Sequence, residues 1–182
     1  MIVLLSSCGC FLINGNYKTY VKTAIHDDKF LTTIGVVGAV GNGCCRFFWN
    51  LFFSKTGFKT VCLVILSICT LVLSTIRFSA SIPELYLIEV FLINSCLGGL
   101  FVITPTASLY IYGNRTGTNI YGVYWSVFSV ANFVGYIYVS QLSKLIGFDG
   151  IIYVCLGMVV CSIPLVYFSK FQGPWKNDTT HL

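Results

Sequence analysis

The stretch Phe30-Leu-Thr-Thr-Ile-Gly35-Val-Val-Gly38-Ala-Val-Gly41-Asn42-Gly-Cys-Cys-Arg46-Phe-Phe-Trp49-Asn50-Leu-Phe-Phe53 is apolar from end to end except for a few polar side chains and one charge, Arg46. About 20 such residues are enough to cross hydrocarbon as a helix. A guanidinium stays charged in a protein, so lodging one at the centre of a membrane helix costs roughly 2.5–3.5 kcal/mol or more. A cation kept at such a place ordinarily faces a partner or a water-filled cavity. The stretch therefore points to an anion-handling site inside a membrane protein. The competing reading is that Arg46, about 11 Å from the end of its segment at 1.5 Å per residue, snorkels toward the headgroups.

The rest of the chain extends this pattern. Of 182 residues, 56% are hydrophobic and only 9% are charged, and the mean hydropathy is +0.83. Soluble domains carry about 25% charged residues. A core this small does not hide so much apolar surface, whereas lipid does. The net charge of +5 is spread over segment ends and forms no basic patch, which excludes nucleic acid as a partner.

Six apolar segments follow one another: residues 1–16, 30–53, 60–76, 85–112, 120–140 and 151–168. None alternates strictly, so helices are expected and barrel strands are not. The backbone must satisfy itself in lipid, which again selects helices. The expected architecture is an all-α membrane protein, a single six-helix bundle over 1–170 with a polar tail at 171–182. An even number of passes puts both termini on one side. Lys and Arg do not orient the bundle. The breaks after the second and fourth segments, with the tail, hold Lys55, Lys59, Arg115, Lys170 and Lys176; the other breaks hold Lys18, Lys22, Lys29, Arg77 and Lys144. Four acids, Asp27, Asp28, Glu84 and Asp149, gather on the second set, which is weak support for placing that set outside. The run Met1–Ile13 has no basic residue ahead of it, unlike a signal peptide. It is short for a spanning helix. It is expected to be the end of a longer helix, which makes the chain a fragment or the product of a start at an internal Met.

Several constellations could carry chemistry. Gly38, Asn42, Arg46 and Asn50 stand four apart and predict a polar stripe along one helix face. Arg46 and Asn42 are then the candidate substrate residues, because a guanidinium grips a carboxylate with two parallel hydrogen bonds. Gly35, Ala39 and Gly43 form a small-residue row that invites close helix packing. The glycine spacing here does not match a dinucleotide fingerprint. Gly122, Ser126, Ser129, Asn132 and Gly135 predict a small, weakly polar face, with Trp125 beside it. Ser126 and Asn132 could line a path, or the face could simply pack. Glu89, four residues into its segment, reads as a hydrated interfacial carboxylate or as a proton carrier. Pro105, between Thr104 and Thr106, reads as a packing kink or a gating bend, and Gly38 could serve as a flexible point in the same process. Asp27 or Asp28 is expected to cap a helix rather than to join His26 on a metal. The nine cysteines show no zinc or redox spacing and read as small hydrophobes. No nucleophile–base pair, cofactor loop or metal cluster is discernible, so an enzyme is not expected.

Taken together, Asn42-Gly-Cys-Cys-Arg46-Phe-Phe-Trp49-Asn50, Ser54-Lys-Thr-Gly57-Phe-Lys59, Pro105, Tyr112-Gly113 and Asn119-Ile-Tyr121-Gly122 resemble the C-terminal half of major facilitator transporters, in the branch of monocarboxylate transporters and oxalate–formate antiporters. The resemblance covers nearly the whole chain. It implies half of a twelve-helix fold, alternating access, and a carboxylate held by the arginine that matches Arg46. It also implies a missing N-terminal half or partner subunit, and possible coupling to protons. There are departures. Proton-coupled members carry an acid where Asn42 stands. Oxalate-type members have a lysine in the helix matching 120–140, where this chain has no Lys or Arg and Phe128 lies near the expected place. Ser54 replaces a usual aspartate, and Asn50 a usual glycine. A monocarboxylate is therefore favoured over oxalate. The alternative is a non-transporting membrane subunit or an inactive remnant. A multi-pass protein of the plasma membrane, rather than of an organelle, is the expected setting.

Overall fold

A computed structural model describes residues 2–21 and 27–169. Nearly all of these residues are helical, in α1 (Ile2–Val21), α2 (Asp28–Thr56), α3 (Phe58–Ser79) and α4 (Pro83–Phe168). The tail 171–182 and His26 lie outside the described residues. α2 starts where the sequence suggests. The Asp27 carboxylate accepts from the amides of Lys29 (2.9 Å) and Phe30 (3.3 Å), which otherwise have no helical partner.

The polar breaks are shorter than expected. Gly57 alone separates α2 from α3, at φ 84°. α4 leaves helical geometry only at Gly113 (φ 76°) and Gly147 (φ 71°). This left-handed region is costly for any residue with a Cβ, so single glycines make the reversals. The chain does fold back at Gly113. Phe101 and Trp125 would stand about 36 Å apart on one unbroken helix, yet their rings stack with centroids 4.9 Å apart. The expected loops 113–119 and 141–150 are thus mostly helix, and α4 consists of the stretches 83–112, 114–146 and 148–168. Polar residues persist in a helix when their side chains reach outward, so polarity alone overestimates the loops.

α4 packs against each of the other helices. The core runs along α3 through Ile65, Leu66, Cys69 and Val72, and meets Ile93 and Leu97 of α4, Ile34 of α2 and Cys10 of α1. The α2–α4 seam is built from glycines, but not those of the small-residue row. A Cβ on Gly41 would lie 2.8 Å from the Phe91 ring, and one on Gly38 2.9 Å from the Asn94 amide. On the other side of the seam, Gly98 meets the Asn42 backbone and Gly99 the Trp49 ring. In the proposed row, Gly35 is filled by Tyr17 and Gly43 touches nothing within 4 Å. The pairs 38·94 and 49·99 make α2 parallel to the first stretch of α4, so Gly57 and Gly113 lie at one end of the bundle.

Contacts at the opposite end join Tyr20, Arg77 and Asp149. The Tyr20 hydroxyl donates to Asp149 (3.0 Å), and Arg77 pairs with the same carboxylate (3.5 Å). Burial, then the Asp149 hydrogen bond, pushes the Tyr20 phenol well above its usual range. The outer surface is apolar, with Phe47, Phe48, Leu71, Phe78 and Phe133 all exposed. Among the described residues, Asp28–Thr56, Phe58–Ser79, Pro83–Val130 and Leu145–Phe168 hold helix long and apolar enough to cross a membrane. α1 is not among them. The fold is compatible with a multi-pass membrane protein, whose lipid would cover that surface.

Orientation is open to a direct test. Asn114-Arg-Thr116 is a glycosylation sequon just past the Gly113 reversal, at the end expected to face the cytosol. Synthesis in the presence of microsomes should leave it unmodified. A glycosidase-sensitive mass shift lost in Asn114→Gln would invert the bundle. The second sequon, at Asn177, lies outside the described residues.

Candidate functional site

Arg46 lies deeper than its segment suggested. α2 continues to Thr56, ten residues beyond Arg46, which is about 15 Å of helix. That is half the roughly 30 Å thickness of hydrocarbon. The side chain also reaches away from the nearer helix end. Its Nη2 and Nε donate to Asn42 Oδ1, at 2.8 and 3.3 Å, one turn back toward Asp28. Its guanidinium carbon sits 5.2 Å from the centre of the Phe101 ring, a cation–π distance. These contacts direct the cation along the bundle, not to the Gly57 end where snorkelling would take it. Arg46 is exposed and Asn42 half-buried.

The stripe of four does not hold together on one side. Gly38 is buried, while Asn50 and Arg46 are exposed. At 3.6 residues per turn, a step of four advances about 40° around the axis. Three such steps turn the row by about a third of the circumference. Gly38 is therefore a packing glycine of the α2–α4 seam, and only Asn42 and Arg46 act together.

Ser126 and Asn132 are not drawn to Arg46 by any hydrogen bond in the structure. Ser126 Oγ donates to the Gly122 carbonyl (3.0 Å) and Asn132 Nδ2 to that of Phe128 (2.8 Å), both on their own helix. Pro105 sits within α4 without a break in helical geometry. Thr104 and Thr106 bond to the Leu100 and Val102 carbonyls (2.7 and 2.8 Å), on either side of the Phe101 carbonyl whose amide donor the proline removes. The helix carries the proline without a kink in its dihedral angles.

Glu89 corrects the interfacial reading. It is only 4% exposed. Its carboxylate accepts from Thr75 (2.7 Å) and from Ser79 on α3. Four residues into a segment is close to a helix end, but α3 continues to Ser79 and covers it. The sequence gives no means of knowing which neighbour lies over a given turn.

Several residues that local patterns did not single out are aromatic. Phe11, Phe101, Tyr124, Trp125 and Phe128 come from α1 and two stretches of α4 and line a narrow cleft, open to the outside, with room of about 10 Å³, enough for about one water. Phe101 is common to this cleft and to the Arg46 contact. Tyr124, Trp125 and Phe128 at three- and four-residue spacing were the available signal, since such rings share a helix face. Elsewhere, Cys10 and Cys69 stand with sulfurs 3.3 Å apart in the core, and Cys96 lies against Cys69.

No protein-family model matches this chain, and no curated protein matches it. What the structure defines is thus a class: an all-helical chain with several helices fit to cross a membrane, carrying a mid-helix arginine beside an aromatic cleft.

Proposed function

We propose that this chain is half of a secondary transporter that moves a small organic anion, a monocarboxylate first among them, by alternating access. One observation carries the reading. Arg46 stands at mid-depth of α2, exposed, with Asn42 holding one edge of its guanidinium. In lipid such a group is tolerated beside a wet cavity or a partner. The edge formed by Nη1 and Nη2 can take both oxygens of a carboxylate. The exposed flank of α2, with Val36, Val40, Phe47 and Phe48, is where a second half would close over the site, as two-half transporters do around a midplane site. The breaks in α4 at Gly113 and Gly147 are compatible with the further passes of such a half. The resemblance of the Asn42–Asn50 and Ser54–Lys59 stretches to major facilitator transporters points the same way. Glu89, buried against α3, is the acid we assign to proton coupling, since Asn42 cannot carry a proton.

The test is uptake. Cells producing the full-length protein should accumulate labelled lactate, pyruvate or formate faster than cells without it, and oxalate more slowly than these. Uptake no faster than in cells lacking the protein would favour the non-transporting subunit.

A further inference from the structure

We propose that the Gly57 end of the bundle binds anionic phospholipid, with Lys55, Lys59 and Arg115 on the headgroup phosphate. The inference goes beyond the transport reading and does not depend on Arg46.

The fold brings these three cations to one end. Lys55 and Lys59 flank the Gly57 reversal, and Arg115 follows the one at Gly113. Both reversals lie at the same end, because α2 runs parallel to the first stretch of α4. Lys59 draws the close of the 148–168 stretch there too. Its ammonium donates to the Tyr167 carbonyl and lies 5.0 Å from the centre of the Tyr167 ring. An ammonium has three donors, so two remain for a headgroup.

No acid offsets this charge among the described residues. The segments that form this end, 50–66, 104–124 and 160–169, hold neither Asp nor Glu. Lys55 and Arg115 are exposed and belong to no ion pair among the described residues. The opposite end differs. Asp27, Asp28, Glu84 and Asp149 all lie there, and Asp149 pairs with Arg77. A group of cations at the level where hydrocarbon stops attracts anionic headgroups, and the cytoplasmic leaflet supplies them. That is the side expected for this end.

Apolar surface beside the cations decides between a lipid and a soluble anion. Tyr167, which holds Lys59, and its neighbour Phe168 are exposed, as aromatic residues are at a membrane interface. Leu165 and Val160, nearer the middle of the same helix, are exposed as well. A phosphate on the cations sets the acyl chains of its lipid beside this surface. A soluble anion would use the cations alone.

The experiment measures binding of fluorescent phosphatidylglycerol to the full-length protein in a nonionic detergent. Phosphatidylcholine with the same chains is the comparison, and glycerol 3-phosphate is added as a competitor. One cation beside an anionic surface contributes about fivefold, so three should favour phosphatidylglycerol by about a hundredfold. Glycerol 3-phosphate should not displace it. Lys55→Gln with Arg115→Gln should weaken phosphatidylglycerol by about twenty-five-fold and leave phosphatidylcholine unchanged. Adding Lys59→Gln should erase the preference. Lys18→Gln with Lys29→Gln, at the opposite end, should change neither affinity. Each variant is first required to melt within a few degrees of the native protein. Lys59 holds Tyr167, so the Lys55 and Arg115 pair decides if the triple variant does not fold. Equal affinity of the native protein for the two lipids would overturn the inference. So would a preference that survives Lys55→Gln with Arg115→Gln, which would place the lipid elsewhere. Displacement by glycerol 3-phosphate would show a soluble-anion site instead.

Discussion

Arg46→Ala should lower monocarboxylate uptake by two orders of magnitude or more. Removing one partner of a buried, hydrogen-bonded charge pair costs about 2–5 kcal/mol, and each 1.4 kcal/mol is about a factor of ten. The expected loss thus runs from about thirtyfold to several thousandfold. The upper part of that range applies because the second half of the molecule would exclude water from the site. Arg46→Lys should recover only part of the rate. A lysine supplies charge but not the planar fork, and it cannot give Asn42 and a carboxylate two parallel bonds each. The measurement is the initial rate of labelled pyruvate uptake at several concentrations, normalised to the amount of protein at the membrane. Arg46 is exposed in this half, so its loss should leave the bundle itself folded. Native uptake in an Arg46→Ala protein present at native level would end its assignment as the carboxylate anchor.

The sequence foretold those features that depend on neighbours a few residues away. The helical character of the apolar runs and the Asp27 cap are both local. What escaped it depends on residues far apart. Phe11, Arg46, Phe101 and Trp125 converge from three helices, and no periodicity links them. Glu89 looks interfacial from its distance to Leu85, but Thr75 and Ser79 of α3 cover it. The Gly38–Asn50 row looks continuous on paper because a step of four nearly matches a helical turn. The mismatch accumulates, and by Asn50 the row has left the face on which Gly38 packs. Glycine rows suffer the same ambiguity. Gly35 and Gly43 satisfy the small-residue pattern, yet Gly38, Gly41, Gly98 and Gly99 do the close packing.

That last distinction predicts the largest effect on stability. Alanine is a better helix former than glycine by about 0.8–1.0 kcal/mol. Gly43 has nothing within 4 Å of the position a Cβ would take, so Gly43→Ala should hold or slightly raise the melting temperature of the detergent-solubilised protein. Gly98→Ala has the same local gain and should nevertheless fail. Its Cβ would run into the Asn42 carbonyl oxygen and stand 3.2 Å from the Asn42 Cα. Backbone cannot swing aside as a side chain tip does, so α2 must move away from α4. Overpacking of this kind costs about 1–3 kcal/mol, occasionally more, and it opens a seam that also holds Trp49 to Ser95 by a buried hydrogen bond (3.1 Å). The displacement falls on Asn42, which holds the Arg46 guanidinium in place. Gly98→Ala should therefore lower the melting temperature by several degrees, and in the fraction that folds it should weaken anion binding although residue 98 touches no anion. A Gly98→Ala protein as stable as Gly43→Ala, with native anion affinity, would mean that α2 and α4 do not meet at this seam.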